Sequence, residues 1–281
     1  MEGSHSGLVR IIGNDVWGQP HRGFKSPPFR PDMKYKAVIF DLDGTAIPST
    51  PEGMPTQRLI QAITLSNELL YFCCATGRTW SFARAAVRSL NLVKPCIISA
   101  GTQIIDPQAE KILWQVQIEE SDLQKILKIL QAFTNELLVN DEYPGTGKTP
   151  QIRDYNFPIH VMNLQAVPQN DAQVICDALV NIKGVACTKV VSQTPEHIDL
   201  HITNSQATKE HAVHQLCNML NISAQEVIGI GDGYNDIHLF AAVGYKVAMG
   251  NAVPELKEKA DLVIGSMQGD GLSAFFEQLN K

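Results

Sequence analysis

Apolar runs of strand length alternate with amphipathic stretches in the first part of the chain. The run 36–40 is followed by a stretch with apolar residues at helical spacing, and the run 69–75 by a second helical stretch, 82–90. A third apolar run, 95–100, ends at a glycine. This alternation predicts right-handed β-α-β units, and therefore a parallel sheet with helices on both faces.

The same alternation returns near the end of the chain. Helical spacing marks 211–220 and 237–243, and apolar strand runs occur at 227–230, 246–249 and 261–264. The two parts together predict an α/β fold, a Rossmann-like doubly wound parallel sheet formed by residues 33–117 and 203–281.

Between these parts the pattern changes to that of an α+β module. Ser121-Asp122-Leu123-Gln124 is typical of a capping box that opens a helix, and a second helix is predicted near 171–181. Strand runs fall at 137–140, 159–164, 184–190 and 197–203. We therefore expect residues 118–202 to form a cap domain inserted into the parallel-sheet core.

Composition narrows the class of protein. The 281 residues are 44% hydrophobic and 19% charged, as in an ordinary globular protein, with a formal net charge of -6. This acidity argues against a nucleic-acid partner, which requires clustered Lys and Arg. No apolar run approaches the roughly 20 residues that span a membrane.

The first 32 residues differ from the rest, since they carry Gly, Pro, His and Arg without a sustained period. We expect residues 1–32 to be a flexible extension, native or introduced. They contain no apolar segment typical of a signal peptide, so a cytoplasmic location is expected.

Carboxylates follow two of the predicted strands. Asp41 and Asp43 come directly after the first strand, and Asp232 and Asp236 follow the strand at 227–230. Ligands of parallel sheets bind outside the carboxyl ends of the strands, so these side chains are expected to meet. Oxygen ligands suit a hard divalent cation such as Mg²⁺. Each pair alone also fits a solvated turn or a helix N-terminus.

Two further segments add phosphate-binding chemistry to the same edge. Thr76-Gly77-Arg78 follows the second strand and offers a hydroxyl and backbone N–H groups to a phosphoryl oxygen. Lys209 lies at a predicted helix start. Taken singly, Thr76 also fits a helix N-cap, and Lys209 a surface lysine.

Two competing motifs fail on their spacing. An EF-hand starting at Asp41 requires glycine where Ala46 stands, and Pro48 interrupts the loop. A nucleotide-binding P-loop ending at Lys148-Thr149 requires glycine where Glu142 stands, and is followed by Pro150.

The order of these motifs resembles motifs one to four of the haloacid dehalogenase-like superfamily. The residues concerned are Asp41-Leu42-Asp43-Gly44-Thr45, Thr76-Gly77-Arg78, Lys209 and Gly231-Asp232-Gly233-Tyr234-Asn235-Asp236. The continuation 247–252 is similar to the Cof-type branch, which carries a type IIB cap. The sequence departs from that branch at Ser99-Ala100-Gly101-Thr102, where Asn usually precedes Gly, and at Glu210, where Gly is commoner.

The resemblance implies a role for each motif. Asp41 is the expected nucleophile and Asp43 the general acid and base, with Lys209 completing the catalytic set. The phosphate- and substrate-binding residues are expected to be Thr76, Gly77, Arg78 and Asn235. The resemblance also implies Mg²⁺ held by Asp41, the main-chain carbonyl of Asp43, Asp232 and, directly or one layer further out, Asp236.

The implied function is a Mg²⁺-dependent phosphatase that hydrolyses a small phosphomonoester, a sugar phosphate or similar metabolite, through an aspartyl phosphate. A phosphotransferase similar to phosphomannomutase is the first alternative. A non-catalytic protein that binds a phosphorylated metabolite is the second. The expected partner is therefore a small phosphorylated metabolite, and neither nucleic acid nor membrane; the sequence leaves the oligomeric state open.

Overall fold

The computed structural model describes residues 10–11, 35–66, 70–140 and 158–279. The predicted flexible extension lies outside the described residues except for Arg10–Ile11, which form a two-residue strand. The segment 141–157, with the rejected P-loop, also lies outside them.

The core is a six-stranded sheet in which every neighbouring pair is parallel. Its strands are β1 (Arg10–Ile11), β2 (Ala37–Phe40), β3 (Tyr71–Cys74), β11 (Val227–Gly231), β12 (Tyr245–Ala248) and β13 (Leu262–Val263). Their spatial order is β1-β13-β12-β11-β2-β3. Every residue of β2 and β11 is buried, as expected for strands covered on both faces.

In the described ranges, six α-helices accompany this sheet. They are α1 (Gln57–Ser66), α2 (Trp80–Ser89), α5 (Lys209–Leu220), α6 (Asp236–Ala242), α7 (Pro254–Lys257) and α8 (Gly271–Leu279). Phe276 of α8 packs edge-on against Phe72 of β3 and Phe40 of β2, with ring centroids 5.1 and 5.9 Å apart. This aromatic group joins the C-terminal helix to the two strands that precede the predicted site.

The third predicted strand is placed differently from the expectation. β4 (Cys96–Ile98) pairs in an antiparallel sheet with β5 (Gln103–Asp106) and β6 (Lys111–Gln115), in the order β4-β5-β6. It touches the parallel sheet through a single bridge between Ala75 and Ile97. That bridge is parallel, as expected, but it is the one pair that joins β4 to β3 among the described residues; the rest of the pairing of β4 is antiparallel, with β5.

The described residues of the predicted cap region form a four-stranded antiparallel sheet and two helices. The sheet order is β7-β8-β10-β9, with β7 (Leu137–Val139), β8 (Val161–Pro168), β9 (Val185–Val191) and β10 (His197–Asn204). The helices are α3 (Glu120–Leu130) and α4 (Gln169–Leu179). Buried residues between Ile118 and Ile202 form a hydrophobic cluster separate from the main core. The predicted cap region therefore has a hydrophobic cluster of its own.

The start of α3 corrects one local prediction. The predicted capping residue Ser121 lies inside the helix; the N-cap is Glu119, which makes no side-chain capping bond. The first turn carries Glu120 and Asp122, which the helix dipole favours, and Asp122 accepts from Lys125 Nζ at 2.7 Å. The reciprocal bonds of a capping box occur instead between Ser223 and Glu226.

Across the described part of the chain, the helices are all too short or too polar to cross a bilayer.

Candidate active site

The loop after β2 places Asp41 at the carboxyl end of the sheet. The Asp41 N–H donates to Ile230 O at 2.9 Å, which continues the pairing with β11. The following turn depends on Gly44, whose φ of +77° favours glycine. A Cβ at this position would lie 2.2 Å from Asp232 Oδ2. Glycine therefore lets the first motif approach the fourth.

The loop after β11 is held by Asp236, the fully buried first residue of α6. Its Oδ2 accepts from the backbone N–H groups of Asp232 and Gly233, both at 3.0 Å. Its Oδ1 accepts from Lys209 Nζ at 2.7 Å. Both oxygens of Asp236 are thus occupied by protein donors, which gives it an orienting role.

Lys209 is the buried cation of the site, with only 2% of the residue exposed. Its Nζ also donates to Asp41 Oδ1 at 3.0 Å, so one ammonium group bridges the first and fourth motifs. Burial works to lower the pKa of Lys209, but the charges of Asp236 and Asp41 outweigh it and raise that pKa above its usual value. Lys209 is therefore a buried, charged group of the site and not the solvated surface lysine of the alternative interpretation.

Asp41, Asp232 and Asp236 form a group of carboxylates with oxygen atoms within 4.8 Å of one another. Burial raises the pKa of Asp41, with Lys209 partly offsetting it, and burial together with Asp236 raises the pKa of Asp232 to about 7. Such crowding of acidic oxygens fits a divalent cation, which would neutralise the group.

Two residues that sequence reasoning did not assign orient Asp232. Thr45 Oγ1 donates to Asp232 Oδ1 at 2.6 Å, and Asn251 Nδ2 donates to Asp232 Oδ2 at 3.3 Å. Asn251 Nδ2 also donates to Gly44 O at 2.8 Å. Thr45 stands two residues after Asp43, and Asn251 belongs to the quoted continuation 247–252, so the available signal was their place in the motifs.

The carboxylate of Asp43 lies apart from this group and pairs with Arg78. Arg78 Nε and a terminal nitrogen donate to the two Asp43 oxygens at 2.8 and 2.5 Å. The same guanidinium donates to the carbonyl of Thr50 at 2.6 Å. Arg78, predicted to bind phosphate, is thus engaged with the predicted acid in this conformation.

The turn 76–78 accepts backbone hydrogen bonds from the segment 99–102, where the sequence departs from the Cof-type pattern. Ser99 N donates to Arg78 O at 2.8 Å, and Ala100 N donates to Thr76 O at 3.1 Å. Ser99 and Ala100 both adopt left-handed φ values, 52° and 59°, a conformation that non-glycine residues seldom adopt. Thr76 is fully buried, and its Oγ1 accepts from Arg78 N at 3.1 Å.

A cavity of about 360 Å³ separates the core from the cap sheet. The core wall contains most of the predicted site residues: Asp41, Asp43, Gly77, Arg78, Asp232 and Asn235. The cap wall contains residues that were not predicted: Leu138, Asn163, Gln165, Val190, Asp199 and His201. The two walls come close at Gly77, where a Cβ would lie 2.7 Å from His201 Cε1.

Comparison with known proteins identifies the family. The model of the haloacid dehalogenase-like hydrolases matches residues 38–156 and 146–276, so the chain belongs to that family. The predictions that the chain belongs to this superfamily, has an α/β fold and is an enzyme are therefore confirmed.

Similar proteins include archaeal enzymes and bacterial structures. A phosphoglycolate phosphatase of Methanopyrus kandleri is 26% identical over 86% of this chain and 96% of its own length. A phosphoglycolate phosphatase of Methanosarcina acetivorans is 23% identical over 85% and 94%.

Two solved structures share the fold at lower identity. A haloacid dehalogenase-like hydrolase from B. subtilis has a TM-score of 0.75 at 18% identity, covering 87% of this chain and 99% of its own. The subclass IIB sugar phosphatase BT4131 has a TM-score of 0.70 at 17% identity, covering 86% and 98%.

Proposed function

We propose that this protein is a Mg²⁺-dependent phosphatase that hydrolyses a small phosphomonoester through an aspartyl phosphate on Asp41. The observation that carries the proposal is the contact of Lys209 with both Asp41 and Asp236, beside the oxygens of Asp232. The names of the similar proteins, two phosphoglycolate phosphatases and a sugar phosphatase, support it.

The metal site would use Asp41, Asp232 and the main-chain carbonyl of Asp43. Asp236 is fully buried and, unlike Asp41 and Asp232, does not line the cavity, so it would act one layer further out by holding Lys209 and the loop at Asp232. When bound, Mg²⁺ supplies positive charge that offsets the negative charge of the carboxylates and of the transferring phosphoryl group.

Asp41 performs the first chemical step. Its Oδ1 is held by Lys209, whereas no donor among the described residues contacts Oδ2. Oδ2 attacks phosphorus, the new O–P bond forms, and the ester oxygen leaves with a proton from Asp43. Lys209 and Thr76 stabilise the phosphoryl oxygens, and Asn235 helps to orient the site.

The second step releases phosphate. Asp43 takes a proton from a water molecule, which attacks the aspartyl phosphate and restores the Asp41 carboxylate. Because Arg78 binds both oxygens of Asp43, it must release one of them for each proton transfer. The cap excludes bulk water while these steps occur.

Two alternatives share parts of this site. A phosphotransferase would use the same Asp41 but return the phosphoryl group to a sugar. Stoichiometric release of inorganic phosphate supports a hydrolase, whereas an isomerised sugar phosphate with no phosphate released favours the phosphotransferase. A non-catalytic binding protein would bind the metabolite without turnover.

The experiment is a screen of phosphorylated metabolites with and without Mg²⁺. The Asp41→Asn variant should lose about 1000-fold or more in kcat, because the amide is a poor nucleophile. Asp177→Asn, at an exposed position of α4, is the matched control and should keep full activity. Unchanged turnover in Asp41→Asn would refute the nucleophile, and undiminished turnover after chelation would refute the metal.

A further inference from the structure

Two of the six cysteines lie side by side in the cap region. Cys176 of α4 and Cys187 of β9 have Sγ atoms 2.8 Å apart, and one thiol donates a hydrogen bond to the other. A disulfide bond is about 2.05 Å long, so an approach of about 0.8 Å would bring these two sulfur atoms to bonding distance. The fold therefore holds the two thiols within reach of a covalent bond.

These two cysteines are also more accessible than the other four. Cys176 and Cys187 are both partly exposed. The remaining cysteines are buried in the hydrophobic core of the parallel sheet: Cys73, Cys74, Cys96 and Cys217. Reactive thiols are partly exposed, whereas thiols that are buried in apolar surroundings are inert. A dissolved oxidant is therefore expected to reach the cap pair before it reaches the core thiols.

The surroundings of the pair favour Cys176 as the attacking sulfur. The hydrogen bond from Cys187 lowers the pKa of Cys176, and the charge of Lys189 adds to this effect, against the opposing effect of burial. The pKa of Cys187 is raised, chiefly because its thiol donates that hydrogen bond. Since the thiolate is the nucleophile in thiol–disulfide exchange, Cys176 should react first and Cys187 second.

A bond between these residues would join α4 to an edge strand of the cap sheet. In the described sheet, β9 is the last strand and pairs only with β10. Lys189 Nζ of β9 donates to Gln173 Oε1 of α4 at 2.8 Å, so β9 and α4 are already in contact. Val190 and Val191, at the end of β9, line the cavity. The disulfide would therefore fix to a cap helix a strand that forms part of the cavity wall.

We propose that Cys176 and Cys187 are a modification site, at which a low-molecular-weight disulfide oxidises the two thiols to a reversible disulfide that fixes β9 to α4. The Cys176 thiolate attacks one sulfur of glutathione disulfide, so that a mixed disulfide forms and one glutathione thiolate leaves. Cys187 then loses its proton and attacks the Cys176 sulfur, and the second glutathione thiolate leaves. The cap loses two protons and two electrons, and two molecules of glutathione gain them.

The test follows the pair by peptide mapping of the full chain. The protein is incubated with glutathione disulfide, its remaining thiols are blocked with N-ethylmaleimide, and it is digested with trypsin. Lys183 lies between the two cysteines, so cleavage after it leaves Cys176 in the peptide 154–183 and Cys187 in the peptide 184–189. We expect mass spectrometry to find these two peptides linked, and to find them separate after dithiothreitol is added.

Two variants identify the role of each thiol. In Cys187→Ser the second step is missing, so the reaction should stop at one glutathione bound to Cys176, without linked peptides. Cys217→Ala also removes one cysteine, but from the core, and is the matched control. It should form the linked peptides as the unaltered chain does.

The effect on the cap is measured as a shift in Tm. Because the bond closes a loop between residues 11 positions apart, we expect the Tm of the oxidised chain to exceed that of the reduced chain by about 5 °C. The shift should disappear with dithiothreitol and should be absent in Cys187→Ser.

Three results would overturn the inference. The first is that Cys176 and Cys187 remain free thiols after incubation with glutathione disulfide, and the second is that glutathione stays on Cys176 of the unaltered chain. The third is a linked pair of peptides without an increase in Tm. These measurements do not use the enzymatic activity, so the inference and the proposed phosphatase function can fail separately.

Discussion

The two walls of the cavity differ in how fully their polar atoms are bonded. On the core wall, the oxygens of Asp232 and Asp236 have protein donors, and Lys209 bridges the first and fourth motifs. On the cap wall, Asn163 Oδ1 and His201 Nδ1 are buried without a partner. The carboxylates of the core wall are therefore held in place by protein donors, whereas these two atoms of the cap wall have no partner among the described residues.

This difference separates the two tasks of the protein. Phosphoryl transfer requires charges held in place before the substrate arrives, because reorganisation would raise the barrier. Selection of the substrate requires groups that gain their bonds only from the correct molecule. Each wall can therefore be altered separately, and the effects should differ in kind.

The largest effect is expected from Lys209→Met on the core wall. This change leaves Asp41 and Asp236 buried without their cation, which should cost about 3–5 kcal/mol in the free energy of unfolding without metal. We also expect kcat to fall about 1000-fold. Urea unfolding and phosphate release measure the two effects.

Lys183→Met, at an exposed position, is the control and should change neither quantity. Full activity in Lys209→Met would show that the bridge between the motifs is not required for phosphoryl transfer.

The next largest effect is the pH dependence of the free energy of unfolding that His201, on the cap wall, should cause. The folded-state pKa of His201 is about 4, below its usual 6.5. As the pH falls from 6.5 towards 4, the unfolded chain binds a proton that the folded chain excludes, so the free energy of unfolding decreases. At about 1.4 kcal/mol per pH unit, this loss reaches about 3 kcal/mol.

His201→Gln should remove most of that acid-induced loss, as measured by urea unfolding between pH 7 and pH 4. His214→Gln, on the exposed side of α5, is the control and should keep the slope of the unaltered chain. Identical slopes for His201→Gln and the unaltered chain would contradict a neutral His201.

The smallest effect is expected from Thr45→Val, which removes the bond to Asp232 Oδ1. Residues that orient metal ligands typically affect metal affinity about 10- to 100-fold. We therefore expect the Mg²⁺ concentration for half-maximal activity to rise by roughly that factor, with substrate KM unchanged. Thr64→Val, on the exposed face of α1, is the control. An unaltered Mg²⁺ dependence would contradict the orienting role of Thr45.

The sequence predicted the core wall better than the cap wall. The carboxyl ends of parallel strands converge, so residues near 41 and 232 were expected to meet, and the structure brings them within 4.8 Å. The pairing of Arg78 with Asp43 was not predicted, because the motif gives the residues but not the direction of a long side chain.

The cap wall was missed for a different reason. Alternation along β8 and β10 predicts strands, but it does not say which face packs on the helices or which polar atoms lack a partner. Asn163 and His201 become neighbours only through the register of β8 and β10, because the two residues are 38 positions apart in the sequence. The antiparallel pairing of β4 with β5 was missed for a related reason, since pairing partners cannot be deduced from a short apolar run.

The absence of a side chain at Gly77 allows the cap sheet to lie close to the core. His201 of the cap sheet comes so near this turn that a single methyl group would collide with the imidazole ring. A residue larger than glycine at position 77 would push the cap sheet away from the core wall of the cavity. The close approach of the two walls at this edge of the cavity therefore depends on the absence of a side chain at position 77.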